Sequence, residues 1–156
     1  MSHADTSPAS TPASGDLRLV HEVSWLLVVM AGRLQDNFAA HAAEFGLSAA
    51  QAKLLLQLHP TEAKPMRVLA ERLRYDPSNL TGVVDKLEQR GVLRRRPDPH
   101  DRRVKALAIT DEGIRLRDGF WQRLTTDAGP LAHLGPAQLA RLHELLTEAL
   151  GPPADG

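Results

Sequence analysis

The sequence predicts a mainly helical fold that carries one small β-hairpin. Apolar residues recur at helical spacing along most of the chain, and two short segments on either side of residue 100 alternate with the period of two that strands require. The chain has 156 residues, of which 42% are hydrophobic, so it has the size and the apolar content of one domain. We therefore expect a single domain over residues 17–150.

The composition excludes several classes of protein. There is no cysteine, which rules out disulfides, thiolate metal sites and thiol redox switches. The longest apolar run, residues 25–31, is far shorter than the ~20 residues of a membrane span. The N-terminus also lacks the basic and apolar regions of a secretory signal. We expect a cytoplasmic protein that has no membrane partner and no cofactor.

The first helix is predicted over residues 17–45, where apolar side chains recur three or four positions apart. Gly46 provides its C-terminal stop. Residues 1–16 are mostly Ser, Thr, Ala and Pro with little to bury, and this composition predicts a disordered tail. At the other end, residues 151–156 are predicted to fray.

Three further helices are predicted before the hairpin. Ser48 and Gln51 have the spacing of a capping box for a second helix that ends at residues 59–60. A short third helix lies over residues 68–73. Asp76 as N-cap and Pro77 as the first helical residue then begin a fourth helix, which ends before Gly91.

The pattern changes after the fourth helix. Residues 92–96 and 104–109 alternate as two strands, and a proline-rich, charged tip joins them. Thr110 is the N-cap of a fifth helix over residues 111–128, and Pro136 begins a sixth over residues 136–150.

Charge is distributed unevenly along the chain. The whole sequence has 19 basic and 19 acidic residues, yet residues 64–105 contain twelve Lys and Arg against six Asp and Glu. A basic segment of a folded domain indicates a nucleic acid or phosphate partner, or else a solvated surface.

The fourth helix is the first candidate DNA surface. Two helices joined by the tight connection at residues 74–77 have the arrangement of a helix-turn-helix. Small polar residues near a helix N-terminus can approach phosphates and base edges closely, and free N–H groups add affinity for anions. The candidate residues on this helix are Ser78, Asn79, Thr81, Gly82, Asp85 and Lys86.

The hairpin is the second candidate DNA surface. Arginine at a narrow tip suits insertion into the minor groove, whose negative potential attracts cations. We expect the Asp101 carboxylate to hold the guanidinium of Arg103 by a charge-assisted hydrogen bond. The candidate residues of the hairpin are Arg95, Arg96, His100, Asp101, Arg102, Arg103 and Lys105.

Residues 69–113 resemble the winged helix of MarR-type regulators. The pattern DxRxKxLxITxxG, which begins at Asp101, matches throughout, and the likeness extends to FGLSxxQ, which begins at Phe45. The resemblance covers residues 17–150. It implies a winged helix-turn-helix over residues 48–110, flanked by dimerisation helices over residues 17–45, 111–128 and 136–150.

The same resemblance implies roles for particular residues. Ser78, Asn79 and Thr81 lie where the family reads the major groove, and Arg103, steadied by Asp101, lies where its wing enters the minor groove. Many relatives have arginine after the recognition-helix threonine, whereas this chain has Gly82. That departure leaves the base preference open.

The residues themselves also favour a homodimer. A first helix of nearly thirty residues, rich in Leu, Val, Met and Trp, exposes too much apolar surface for a monomer, and the sixth helix is rich in leucine. Intramolecular packing of all six helices is the alternative. Two recognition helices in one dimer predict a palindromic DNA operator with half-sites ~10 bp apart.

A small molecule is the kind of signal that the sequence favours. Missing cysteine excludes thiol oxidation, and the scattered histidines disfavour a metal site. Arg18, His21 and Trp25 form one stripe on the first helix and are candidates for binding an aromatic or anionic ligand. Alternatively, Trp25 belongs to a dimer core while Arg18 and His21 are solvated.

We therefore predict a homodimeric, sequence-specific regulator of transcription that binds duplex DNA, a repressor released by a small ligand. The alternatives are a winged-helix module that binds protein and an activator that needs no ligand. An enzyme is not expected, because the sequence has no nucleophile elbow, phosphate loop or HExxH motif.

Overall fold

The computed structural model describes residues 14–98 and 101–151. Its elements are six helices, three short strands and one 3₁₀ turn at Gly129–Leu131. In chain order the helices and strands are α1 (Ser14–Glu44), α2 (Ala49–Leu56), β1 (Lys64–Pro65), α3 (Met66–Leu73), α4 (Pro77–Gln89), β2 (Leu93–Pro97), β3 (Lys105–Ile109), α5 (Asp111–Thr126) and α6 (Pro136–Leu150). The mainly helical fold with a small hairpin is confirmed.

The largest differences from the predicted boundaries are at the start of α1 and the end of α2, whereas α3 begins and α5 ends two residues earlier than predicted. Helix α1 begins at Ser14, three residues before the predicted start, and the acidic Asp16 in its first turn favours the helix dipole. Helix α2 ends at Leu56 instead of residues 59–60, with Gln57 as its C-cap residue. The rest of the predicted tail (residues 1–13) and of the predicted frayed end (residues 152–156) lies outside the described residues.

Local sequence signals position the helix ends as predicted. Both hydrogen bonds of the capping box between Ser48 and Gln51 are present at the start of α2. The hydroxyl of Thr110 accepts a hydrogen bond of 3.1 Å from the Gly113 amide and so caps α5. Only glycine fits at position 113, because an added Cβ would lie 2.0 Å from the Val92 carbonyl oxygen.

The sheet has the order β1-β3-β2, and all its pairs are antiparallel. Strand β1 was not predicted, because two residues that include a proline give no periodic signal. It pairs with β3 through Lys64 opposite Leu107 and Pro65 opposite Ala106. Proline is tolerated there since β1 is an edge strand.

One hydrophobic core joins the helix-turn-helix, the hairpin and α5. Phe120 of α5 is fully buried, and its ring packs edge-on against Phe38 and Phe45 at centroid distances of 5.3 and 5.7 Å. The largest side chains buried with it are Leu54, Leu55, Leu69, Leu80, Val84, Leu87, Val92, Leu93 and Leu107.

Helices α1 and α6 differ from the rest of the chain in how little of their apolar surface is buried. Most apolar side chains of α1 before residue 35 are exposed in the single chain, including Trp25 at 68% and Leu26 at 65%. No residue of α6 is buried. None of the helices within the described ranges is long and apolar enough to cross a membrane.

Candidate nucleic-acid interface

Helices α3 and α4 form the helix-turn-helix through a tight connection. Arg74 ends α3 in the left-handed conformation with φ of 54°, and the Tyr75 amide donates to the Ala70 carbonyl. Asp76 occupies the N-cap position of α4 and Pro77 its first helical position, as predicted, although the Asp76 side chain makes no capping hydrogen bond. The N-terminus of α4 thus begins directly after the turn.

The two faces of α4 are clearly divided. Leu80, Val84 and Leu87 are buried in the core, as their spacing predicts. On the other side, five of the six predicted recognition residues are exposed: Ser78, Asn79, Thr81, Gly82 and Lys86. A Cβ added at Gly82 would meet nothing within 4 Å, so this position opens to solvent. The face is free to approach a partner.

Asp85, the sixth predicted recognition residue, is half-buried and held by the hairpin. Its carboxylate accepts a hydrogen bond of 2.5 Å from the guanidinium of Arg95 in β2. The guanidinium also pairs with Glu88, whose other oxygen accepts from the Arg95 amide at 2.9 Å. This backbone hydrogen bond, with the guanidinium beside it, holds the pKa of Glu88 below its usual value.

Arg95 was predicted to contact DNA, but in the structure its guanidinium is occupied by two acidic side chains. Its side chain is only 22% exposed, and both of its acidic partners lie on α4. The geometry makes it an anchor that fixes β2 against α4. The charges of Asp85, Glu88 and Arg95 were visible in the sequence, but their pairing depends on the turn between α4 and β2.

The hairpin of β2 and β3, called the wing from here on, has hydrogen bonds on both sides of its tip, at residue 98 and at residues 101–104. The Asp98 amide donates to the Val104 carbonyl, and the Val104 amide donates to the Asp101 carbonyl, each at 2.9 Å. The Asp101 carboxylate accepts a hydrogen bond of 2.9 Å from the Arg103 amide. The predicted bond from Asp101 to the Arg103 guanidinium is wrong: among the described residues the carboxylate accepts from the Arg103 backbone amide and not from its side chain.

The cations of the wing are exposed and available. Within the described ranges, Arg96, Arg102, Arg103 and Lys105 are exposed and form no ion pair with an acidic side chain. His100, the remaining predicted residue of the wing, lies outside the described residues. Unpaired cations beside an open helix face form a surface suited to a polyanion.

The predicted ligand stripe on α1 lies on open surface in the single chain. The Arg18 guanidinium pairs with Glu22 at 3.0 Å, and His21 Nδ1 lies 2.8 Å from the Leu17 carbonyl oxygen. Trp25 is 68% exposed. The three residues share one helix face as expected, but in one chain they do not enclose a ligand.

A buried histidine is a feature that the sequence did not reveal. His41 on α1 is 5% exposed, and its two ring nitrogens lie 2.9 Å from a Glu44 oxygen and 2.7 Å from an Asp127 oxygen. Arg123 of α5 also pairs with both carboxylates. This cluster joins α1 to α5. Within the described residues, no group of three His, Asp or Glu side chains is placed to hold a metal ion.

The pKa values of the two carboxylates in this cluster are shifted downward. The hydrogen bond to His41, followed by that from Arg123, lowers the pKa of Glu44. The Gly129 amide and then His41 lower the pKa of Asp127. Both acids are therefore charged over the neutral range, and they stabilise the α1–α5 contact there.

A family model described as the MarR family matches residues 47–105, the segment that contains the helix-turn-helix and the wing. Over 83 residues the chain is 32% identical to the HTH-type transcriptional regulator MhqR of Bacillus subtilis (strain 168). This alignment covers 53% of the chain and 57% of MhqR, so the chain spans little more than half the length of this curated relative.

Solved structures match more of the chain. CouR from Rhodococcus jostii RHA1, solved with p-coumaroyl-CoA bound, superposes with a TM-score of 0.68 at 28% identity and covers 88% of this chain and 98% of its own. A transcriptional regulator of the MarR family from Rhodococcus sp. RHA1 gives a TM-score of 0.71 at 26% identity, with 91% and 99% covered. The likeness therefore includes the flanking helices as well as the winged helix.

Proposed function

Because residues 47–105 match the MarR family model and the whole fold resembles MarR-family structures, we propose that the chain is a homodimeric regulator of transcription that binds a specific sequence of duplex DNA. The observation that carries the proposal is the open face of α4 beside the unpaired cations of the wing. In this proposal residues 48–110 are the winged helix, and α1, α5 and α6 are the dimerisation helices.

The DNA contacts follow from the exposure of these residues. Ser78, Asn79 and Thr81 at the start of α4 face the major groove, where short polar side chains reach phosphates and base edges. Arg103 at the wing tip enters the minor groove, since its guanidinium has no acidic partner within the described residues and the groove attracts cations. Lys86 of α4 and Arg96 of β2 contact phosphates of the DNA backbone.

The dimer follows from the exposed apolar surface of α1. Monomeric proteins rarely expose apolar patches larger than a few hundred Å². Along α1 the exposed side chains include Leu19, Val20, Leu26 and Val28, each more than half exposed. A second copy that covers them brings two recognition helices to one duplex, which requires a palindromic operator with half-sites ~10 bp apart.

The regulator acts as a repressor that a small ligand releases. A dimer seated over a promoter excludes polymerase, and a ligand that changes the separation of the recognition helices weakens binding. A cavity of about 420 Å³ between the end of α2 and α5 supports this part of the proposal. Its lining includes the exposed Trp121 together with His59 and Arg117. Arg117 is already paired with Asp118 and with the Leu58 carbonyl, so the cavity suits an aromatic ligand that stacks on Trp121, and the related CouR binds p-coumaroyl-CoA.

Arg18, His21 and Trp25 carry the same three chemical groups on α1. In a dimer with intertwined helices, the stripe of one chain faces the body of its partner. We therefore keep these three residues as the second candidate for the ligand site.

Fluorescence anisotropy with promoter DNA from beside the protein's own gene tests the DNA proposal. We expect tight binding to an operator fragment over random DNA, with affinity that falls steeply as salt rises. Arg103→Ala should weaken binding and reduce the salt slope by about 2, which is about 1 for each copy in the dimer. Arg115→Ala is the matched control, since Arg115 is an exposed arginine on α5 that pairs with Glu112.

Each negative result has a defined meaning. Equal affinity for operator and random fragments would contradict sequence-specific binding. Absence of binding at low salt would favour the winged-helix module that binds protein. An unchanged salt slope in Arg103→Ala would remove Arg103 from the interface even if the protein binds DNA.

A further inference from the structure

One side chain joins the C-terminal end of α4, the proposed recognition helix, to the C-terminal end of α1. Arg90 is the C-cap residue of α4. Its guanidinium donates to the Gly46 carbonyl at 2.7 Å and to the Phe45 carbonyl at 3.3 Å. Both carbonyls lie directly after the last residue of α1, 44 and 45 positions away in the sequence.

The end of α1 needs such a donor. The last carbonyls of a helix have no partners inside the helix. Gly46, with φ of 64°, allows the Gly46 and Leu47 amides to satisfy the carbonyls of Ala43 and Ala42. The carbonyls of Phe45 and Gly46 follow the last residue of the helix, and Arg90 donates a hydrogen bond to each of them. Arginine suits this geometry because its planar fork donates two hydrogen bonds in fixed directions.

The same end of α1 is also fixed to α5. Glu44, the last residue of α1, pairs with Arg123, and Phe45 packs edge-on against Phe120. The carbonyls that Arg90 holds therefore belong to a rigid junction of α1 and α5. Within residues 14–98 and 101–151, no other hydrogen bond or ion pair joins this end of α1 to α4.

We propose that Arg90 is a positioning residue that sets the orientation of the recognition helix relative to the dimerisation helices. It fixes the C-terminal end of α4, while Arg95 fixes β2 against the same helix through Asp85 and Glu88. In this proposal Arg90 itself makes no DNA contact, because its guanidinium is held by the Phe45 and Gly46 carbonyls. The inference rests on the proposed function for its effect on DNA, although the helix orientation can be measured without DNA.

Removal of Arg90 should change the dependence of binding on operator geometry. With an operator obtained by selection from random DNA, the half-site separation is changed one base pair at a time. The natural protein should bind one half-site separation best and should bind both shorter and longer separations more weakly. Arg90→Ala should bind the best separation roughly tenfold more weakly and show a flatter profile. Its salt slope should be unchanged, since no phosphate contact is lost.

Two further variants serve as an intermediate case and as a control for Arg90→Ala. Arg90→Lys retains one donor toward the carbonyls and should fall between the natural protein and Arg90→Ala. Arg115→Ala removes an exposed arginine elsewhere and should keep the natural profile. An unchanged spacing profile in Arg90→Ala would overturn the inference, even if the variant melts at a lower temperature. A salt slope reduced by about 2, or about 1 for each copy in the dimer, would also overturn it, because Arg90 would then be a phosphate contact.

A second measurement needs neither DNA nor a dimer. Since the chain has no cysteine, Gln35→Cys on α1 and Gln89→Cys on α4 give two unique labelling sites. Spin labels there report the distance between the helices when labelled chains are diluted with unlabelled ones. Arg90→Ala should broaden or shift this distance distribution, and an identical distribution would overturn the inference. If the natural protein fails to bind DNA but this distribution broadens, only the proposed function is lost.

Discussion

The winged helix and the two terminal helices differ in how much apolar surface each buries within one chain. Leu80, Val84 and Leu87 of α4 are at most 1% exposed, whereas Trp25 and Leu26 of α1 are about two-thirds exposed. The winged helix is therefore complete in one chain. The terminal helices have apolar faces that a single chain leaves in water, and these faces are the basis of the proposed dimer.

Polar contacts differ between the two regions in the same way. Arg95 joins the wing to α4, and Arg90 and the His41 cluster join α4 and α5 to the last turn of α1. The N-terminal half of α1 has local contacts such as Arg18 with Glu22. Long-range polar contacts thus position α4, the wing and α5 relative to the end of α1, whereas the polar contacts described for the exposed half of α1 are local.

The largest expected effect comes from the winged-helix core. Leu87→Ala removes a fully buried side chain and leaves a cavity, so the free energy of unfolding should fall by about 2–5 kcal/mol. Urea denaturation followed by circular dichroism measures this change. Gln89→Ala, two positions along the same helix and exposed, is the control and should change stability by less than about 0.5 kcal/mol. Equal losses would contradict the division between the faces of α4.

A charge on the exposed face of α1 should affect association instead. Leu26→Asp should raise the dimer dissociation constant at least ~100-fold, because a carboxylate would be buried without a partner in the dimer interface. Sedimentation velocity over a concentration series measures the mass. Gln35→Asp places the same charge on an exposed polar position of α1 and should leave the mass unchanged. Dimers that persist in Leu26→Asp would place the interface elsewhere.

The open face of α4 permits a small gain in stability. Gly82 is exposed inside a helix, and an added Cβ meets nothing within 4 Å. Gly82→Ala should therefore stabilise the protein by about 0.5–1 kcal/mol, because alanine has less backbone freedom to lose. Thermal melting measures the gain. A loss of stability would mean that the helix is strained at this residue.

The smallest expected effect is a pH dependence of the stability that the α1–α5 contact contributes. The pKa values of Glu44 and Asp127 are lowered in the folded protein from 4.5 and 3.8, so their contribution is present above those values and is lost as pH falls below them. His41→Gln removes a hydrogen bond that lowers both pKa values. Its stability should fall less steeply over the same acidic range in denaturation series at several pH values. If the stability of the natural protein and of His41→Gln falls in parallel with pH, His41 does not stabilise the charged forms of Glu44 and Asp127.

Local signals explain what could be predicted from the sequence. Ser48 with Gln51 and Thr110 with Gly113 cap helices through residues three positions apart, so their hydrogen bonds follow from the helix itself. The apolar spacing in α4 predicts its buried face for the same reason. The pattern that begins at Asp101 indicated the family, and the match over residues 47–105 agrees with it.

The tertiary structure decided which charged residues are free. Arg95 and Arg103 look alike in the sequence, yet Arg95 pairs with two acids on α4 while Arg103 is exposed at the wing tip. Arg90 and His41 likewise have partners 44 and 86 positions away. Helix caps and apolar periodicity repeat within a few residues, and the sequence by itself determines them. Contacts between distant residues depend on how the elements pack, because the same side chain is solvated in one packing and bonded in another.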